Sequence, residues 1–131
     1  MFRMSFLISG CVAASLAFAA PIKGQTPARL IVVNLIERPG NKVPFAFEPA
    51  AFTAARGDTL RFVQAANTMH NVHFKSQPKG AKLGSASTSP YLTTKGQSIV
   101  LIVDSRFADG AYEIVCDPHE NLGMHAILTV K

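Results

Sequence analysis

Residues Cys116-Asp117-Pro118-His119-Glu120-Asn121-Leu122-Gly123-Met124 place a thiol, an imidazole and a thioether at i, i+3 and i+8. Soft sulfur combined with imidazole is a donor set that suits copper or zinc. The only other cysteine is Cys11. Cys11 lies in a segment that reads as a removable leader, so Cys116 is expected to be the sole thiol of the mature chain. A lone thiol in an oxidising compartment is exposed to damage unless something occupies it. Metal ligation is one such occupation, and burial as an inert small apolar side chain is the other.

The leader has three parts. Met1-Phe2-Arg3-Met4 carries a positive charge, Ser5 to Ala19 is uncharged and mostly apolar, and Ala17-Phe18-Ala19 fits an A-x-A cleavage site. This is the pattern of a secretory signal peptide over residues 1–19, too short and wrongly flanked for a membrane span. Ile8-Ser9-Gly10-Cys11 also resembles a lipoprotein lipobox, but little apolar sequence precedes it and much follows. The expectation is export to the periplasm, with a linker over 20–28 and one domain over 29–131, a length that fits a single core.

The formal charge is +5, and loss of Arg3 lowers it by one. Nucleic-acid binding would call for aromatic interleaving or a helical stripe of Lys and Arg, and neither is present. A modest basic excess suits attraction to an acidic partner protein, an effect on encounter rate. Lys75, Lys79 and Lys82 form the one cluster and follow the His70 segment. They are expected to flank the site and to orient transient docking by a monomer.

The elements that must position the site read as strands. Arg29 to Ile36 is rich in β-branched residues. Val43 to Phe52 is apolar but broken by Pro44 and Pro49, which suits a loop with a short edge strand. Thr59 to Ala65 alternates, with Leu60 and Phe62 on one face and Arg61 on the other. In His70-Asn71-Val72-His73-Phe74, period 2 puts His70, Val72 and Phe74 on the core face, and Asn71 and His73 on the other. Ser76 to Gly96 is irregular. Ser98 to Val103, Ala111 to Cys116 and Ala126 to Val130 complete the set, with Tyr112, Ile114 and Cys116 facing inward. No mature segment shows a 3.6-residue apolar period. The pattern predicts an all-β, Greek-key β-sandwich of about seven to eight strands.

In such a sandwich Cys116 ends one core-facing strand, His70 begins another core-facing run, and Met124 closes the loop before the last strand. These residues can meet at one end of the fold, with His119 between them. Two imidazoles and a thiolate with a weak axial thioether describe a blue-copper electron-transfer site. Pro118 stiffens the loop and Gly123 lets the chain turn inward.

Gly110-Ala111-Tyr112-Glu113-Ile114-Val115-Cys116-Asp117-Pro118-His119, followed by Gly123-Met124, resembles the copper-binding signature of the cupredoxins. His70-Asn71-Val72 resembles their upstream ligand segment, and Phe47-Glu48-Pro49 through Gly57-Asp58-Thr59-Leu60-Arg61-Phe62 resembles the preceding strand pair. The likeness runs from about Leu30 to Val130 and is nearest to the plastocyanin and pseudoazurin branch. It implies one type 1 copper held by His70, Cys116, His119 and Met124. It implies that Asn71 ties the two ligand loops together and that Tyr112 forms a tyrosine corner. It also implies an electron port at His119, through an apolar patch of Pro118, Leu122 and Gly123.

Three positions depart from the family pattern. Asp117 stands where serine or threonine is usual, and an ionised carboxylate close to the copper thiolate would favour Cu(II) and lower the potential. His73 and His125 stand where apolar residues are usual. They are candidates for a second metal or for pH tuning, against the plainer reading of two solvent-facing histidines. The rivals to an electron carrier are a copper-delivery module of the same fold and a structural sandwich without metal. An enzyme fits least. There is no Ser-His-Asp arrangement, no evident carboxylate pair and no glycine-rich phosphate loop, and four protein ligands leave no open coordination position.

Overall fold

The computed structural model describes residues 26–131. The expected signal peptide over 1–19 and most of the linker over 20–28 lie outside these described residues. Eight strands form two four-stranded sheets. The first sheet holds β1 (Leu30–Glu37), β2 (Phe45–Glu48), β4 (Thr59–Gln64) and β6 (Ser98–Ile102), in the order β2-β1-β4-β6. The second holds β3 (Ala51–Ala54), β5 (His73–Ser76), β7 (Gly110–Val115) and β8 (His125–Val130), in the order β3-β8-β7-β5. Both sheets are mixed, because β1 runs parallel to β4 and β3 parallel to β8. No helix among the described residues is long and apolar enough to cross a membrane.

The expected strands are present, most with ends displaced by a residue, while the run expected from His70 begins as β5 only at His73. The other exception is the segment with two prolines. Val43 to Phe52 holds two edge strands rather than one, β2 on the first sheet and β3 on the second. Proline cannot donate to a ladder, so Pro44 falls just before β2 and Pro49 in the gap where the chain changes sheets.

Alternation sets the core. In β4, Leu60 and Phe62 are fully buried while Arg61 between them is exposed. Phe62, Phe74, Phe107 and Tyr112 meet mainly edge to face across the sandwich, for example Phe62 to Phe74 with ring centroids 6.2 Å apart. That arrangement sets positive ring edges against negative faces. The irregular stretch from Ser76 to Gly96 is not wholly superficial, because Leu83 and Leu92 enter the core.

Two polar devices fix the end of the sandwich remote from Cys116. Asp58 is buried and accepts from the Arg29 backbone N–H at 2.8 Å and from its guanidinium Nη2 at 2.7 Å. The Tyr112 hydroxyl donates to the Ala108 carbonyl at 2.9 Å and accepts from the Ala108 N–H at 2.8 Å. This is the corner that the resemblance implies for Tyr112. Tyr112→Phe leaves both Ala108 groups short of a partner and should destabilise the fold by about 1–3 kcal/mol. Urea unfolding would read this as a lower midpoint at unchanged slope. An unchanged midpoint would mean that water replaces the hydroxyl without cost.

Candidate metal centre

β7 delivers Cys116 directly from its last residue, so the inward alternation of Tyr112 and Ile114 continues to the thiol. A short 3-10 helix, Asp117–Leu122, then carries His119 back over the end of the sandwich. Gly123 closes this helix in the left-handed region at φ 87°, a conformation that costs glycine little. The turn brings Met124 alongside. The Cys116 N–H donates to the Met124 carbonyl at 3.3 Å, and the Met124 N–H donates to the His119 carbonyl at 3.2 Å. Met124 is fully buried beside the two ligand positions.

His70 comes from outside this loop. It forms an isolated bridge with Leu92 rather than opening β5. Its N–H donates to the Leu92 carbonyl at 3.1 Å and its carbonyl accepts from the Leu92 N–H at 2.7 Å. Gln64, also buried, donates its side-chain amide to the Leu92 carbonyl at 3.0 Å and to the Thr68 carbonyl at 2.8 Å. The Leu92 segment is therefore held in place behind His70. The expected inward face is correct, since His70, Val72 and Phe74 are all buried.

The three donor atoms form a nearly equilateral triangle. Cys116 Sγ lies 3.5 Å from His70 Nδ1 and 3.4 Å from His119 Nδ1, and the two Nδ1 atoms are 3.1 Å apart. Among the described residues, this is the cluster of histidine, cysteine and carboxylate donors able to hold a metal ion. A point equidistant from all three lies about 2 Å from each, close to a metal–imidazole bond length. All three side chains are buried. His70 Nε2 is buried without a hydrogen-bond partner, so that ring is anchored only through its backbone and its neighbours.

Burial and the neighbouring His119 lower the His70 pKa to about 4. Burial also lowers the pKa of His119. Both rings are therefore neutral at pH 7, with lone pairs available for a metal. Burial raises the Cys116 thiol, against the opposing effect of N–H groups from Asn71 and His119. A soft metal cation would displace that proton and make those two N–H groups partners of the thiolate.

Asn71 links the loops as the resemblance implies. Its Oδ1 accepts from the Asp117 N–H at 2.8 Å, and its Nδ2 donates to Asp117 Oδ2 at 2.6 Å. Asn71 is buried, with both atoms of its amide held by Asp117. His73 also meets Asp117, with Nδ1 2.7 Å from Asp117 Oδ1. Burial alone would raise the Asp117 carboxyl. The hydrogen bonds from His73 and Asn71, with nearby Lys75, outweigh it and hold the carboxyl below its ordinary value. The carboxylate is thus ionised, but both its oxygens are turned to these partners.

Several expectations require correction. Only Lys75 of the lysine cluster adjoins the ligand loop, where it pairs with Glu120. The Lys82 N–H donates to the Arg106 carbonyl at 2.8 Å, and Gly80 approaches Ala108. Lys79 and Lys82 therefore lie near the Gly110 end of β7, about 20 Å from its Cys116 end at the rise of an extended strand. After Ser76 the chain leaves the sheet and crosses to the opposite end, which reading along the sequence could not register. His73 and His125 both face Val115, one from each side. Their backbones stand two strand spacings apart, and among the described residues neither joins a group of three His, Cys, Asp or Glu donors close enough to hold an ion. Each instead has a carboxylate neighbour, Asp117 for His73 and Glu113 for His125.

Sequence reasoning missed Phe45. Its ring lies 4.0 Å from that of His119, tilted by 31°, and meets His70 edge-on at 5.5 Å. No local pattern marks it, since the contact joins the first strand of the double-proline segment to a loop more than seventy residues later. Gln64 was missed too, although a polar residue on the inward face of β4 was the available signal.

A two-sheet sandwich with a buried His-Cys-His triangle at one end defines a copper-binding β-protein. Residues 35–131 match the family of copper binding proteins described as plastocyanin/azurin. The plastocyanin of Ulva prolifera is 30% identical over 99 residues, covering 74% of this chain and 98% of that protein. The oxidised plastocyanin of Dryopteris crassirhizoma superposes with a TM-score of 0.62 at 29% identity, covering 77% of this chain and all of that one. A pseudoazurin from Sinorhizobium gives a TM-score of 0.58 at 25% identity, covering 79% of this chain and 74% of that one. The chain belongs to the plastocyanin/azurin family of copper binding proteins, the cupredoxins.

Proposed function

We propose that this protein carries single electrons between redox partner proteins through one type 1 copper bound at the Cys116 loop. The observation that carries the reading is the buried triangle of two Nδ1 atoms and one Sγ, with sides of 3.1 to 3.5 Å. His70, Cys116 and His119 would supply the trigonal plane and Met124 the axial thioether. Copper held this way supplies a Cu(II)/Cu(I) couple, since thiolate and imidazole serve both states and the weak thioether favours Cu(I).

The chain's own part is to hold the donors still and keep water out. His70 is fixed through Leu92 and Gln64, His119 by the ring of Phe45, and Cys116 by strand β7. His119 is the port. It is 8% exposed, and Leu122 beside it is 47% exposed on the surface of the loop. Val43, against which a side chain at Gly123 would press, extends that apolar rim. Lys42 next to Val43 and Lys75 beside Glu120 offer positive charge near the port. This supports docking on an acidic partner, with a transfer rate that falls as salt rises. Export to the periplasm by the leader over 1–19, action as a monomer and the absence of enzymatic turnover complete the reading.

Titration of the purified protein with Cu(II) tests it. An intense visible thiolate-to-copper band should grow to one equivalent and survive repeated reduction and reoxidation. Absence of the band would leave a sandwich without the metal. A band that disappears because Cu(I) passes to an acceptor on reduction would favour copper delivery.

A further inference from the structure

Three side chains outside the donor triangle reach the ligand loop from one side. His73 on β5 and His125 on β8 stand opposite Val115 of β7, so all three share the outer face of the second sheet. Lys75 sits at the bulge in β5 just after Phe74, from which its side chain reaches the loop. His73 Nδ1 meets Asp117 Oδ1 at 2.7 Å, His125 Nε2 meets the Glu120 carbonyl at 3.1 Å, and Lys75 pairs with the Glu120 carboxylate. Glu113, 3.1 Å from His125 Nδ1, orients that ring. Val115 registers the closure. It stands on the face opposite Ile114, between His73 and His125, and is fully buried there.

We propose that His73, Asp117, Lys75 and His125 act as positioning residues, clamping the Cys116–Met124 loop to the outer face of the second sheet so that its donor atoms are in place before copper arrives. The loop's own backbone bonds do not connect it to β5. The Asn71 tie reaches one end, at Asp117, whereas the clamp adds a second grip at Glu120, on the far side of His119. Ordering a loop costs conformational entropy, and a loop ordered in advance does not pay it at the binding step. Each contact is partly exposed and weak alone. Together they close the loop from two strands at two points. The consequence for the metal rests on the copper reading above, whereas the clamp itself does not.

The test compares wild type with His73→Ala, Asp117→Ser, the double variant, His125→Ala and His73→Gln. Amide hydrogen exchange over residues 117–124 is followed in the copper-free protein, and copper release to a chelator is followed in the loaded one. His73→Ala and His125→Ala should each exchange the loop amides about fivefold faster, the factor one partly exposed charge-assisted contact is worth, and Asp117→Ser should exceed that because it also loses the bond from Asn71 Nδ2. Copper release should quicken in the same order. The double variant should be no faster than Asp117→Ser, since losing the Asp117 carboxylate already removes the His73 contact along with the Asn71 Nδ2 bond, and His73→Gln should recover much of the protection through its amide donor. Unchanged loop exchange in all variants, or a double effect equal to the product of the singles, would overturn the clamp. Because exchange is read without copper, failure of the clamp and failure of the copper reading appear in different measurements.

Discussion

Cys116→Ser should abolish the intense visible band and the narrow copper hyperfine pattern of the loaded protein while leaving the sandwich folded. The band requires a soft, strongly donating thiolate on Cu(II), and a serine oxygen is neither soft nor readily ionised. The site geometry makes the substitution clean. Cys116 sits at the end of β7 with no exposure, and serine fits the same space. Its hydroxyl, on a shorter bond than the sulfur, would lie on the side of His70 Nδ1 and His119 Nδ1, ring nitrogens able to accept its proton. A buried hydroxyl with partners costs at most about 1–3 kcal/mol. Circular dichroism should therefore be unchanged. Copper that still binds through the imidazoles should give a pale, ordinary Cu(II) spectrum. Cys116→Ala is the companion, with the same spectral loss and no hydroxyl to bury. If the blue band survived either change, the thiolate would not be a ligand and the site would have to be rebuilt around other donors.

That expectation was legible from the sequence because its evidence is local. Cysteine, histidine and methionine fall within nine residues, and alternation in the strand before them says which way the thiol faces. His70 was legible for the same reason, as the first inward residue of an alternating run. What alternation cannot report is lateral placement. It put Asn71 and His73 together on one side, but that they share Asp117 follows from β5 pairing with β7 in register. It could not place Lys79 and Lys82, because an irregular segment has no period to count. Nor could it see Phe45 against His119, where a proline-flanked strand on the edge of the first sheet meets a loop of the second. The misses share a cause: each depends on which elements are neighbours, and that is fixed by packing of the whole core rather than by any short pattern.

Acidification should destabilise the copper-free protein by about 3 kcal/mol between pH 6.5 and pH 4, and copper should protect against it. Buried beside His119, His70 binds a proton only near pH 4 when folded, against an ordinary value of 6.5. Between those values the unfolded chain holds the proton and the native chain does not. Falling pH therefore draws the equilibrium toward the unfolded state, and the loss is complete once pH has passed below the folded value. The gap of about 2.5 units corresponds to about 3 kcal/mol. His119 is shifted in the same direction and adds to the loss. The two cannot readily charge together with their Nδ1 atoms 3.1 Å apart. Asp58 does not confuse the result. Its pKa is lowered from 3.8 to about 2 by Arg29, so its stabilisation is lost only below that window. A metal on both Nδ1 atoms competes with protons for the same lone pairs, so the loaded protein should hold its stability to lower pH. Urea unfolding at pH 7, 5.5 and 4, with and without copper, measures both effects. His70→Leu, which removes the titrating ring at similar volume, should flatten the copper-free profile. A copper-free protein equally stable at pH 7 and pH 4 would show that the two rings accept protons in place, and that the donor triangle opens to water far more readily than its burial implies.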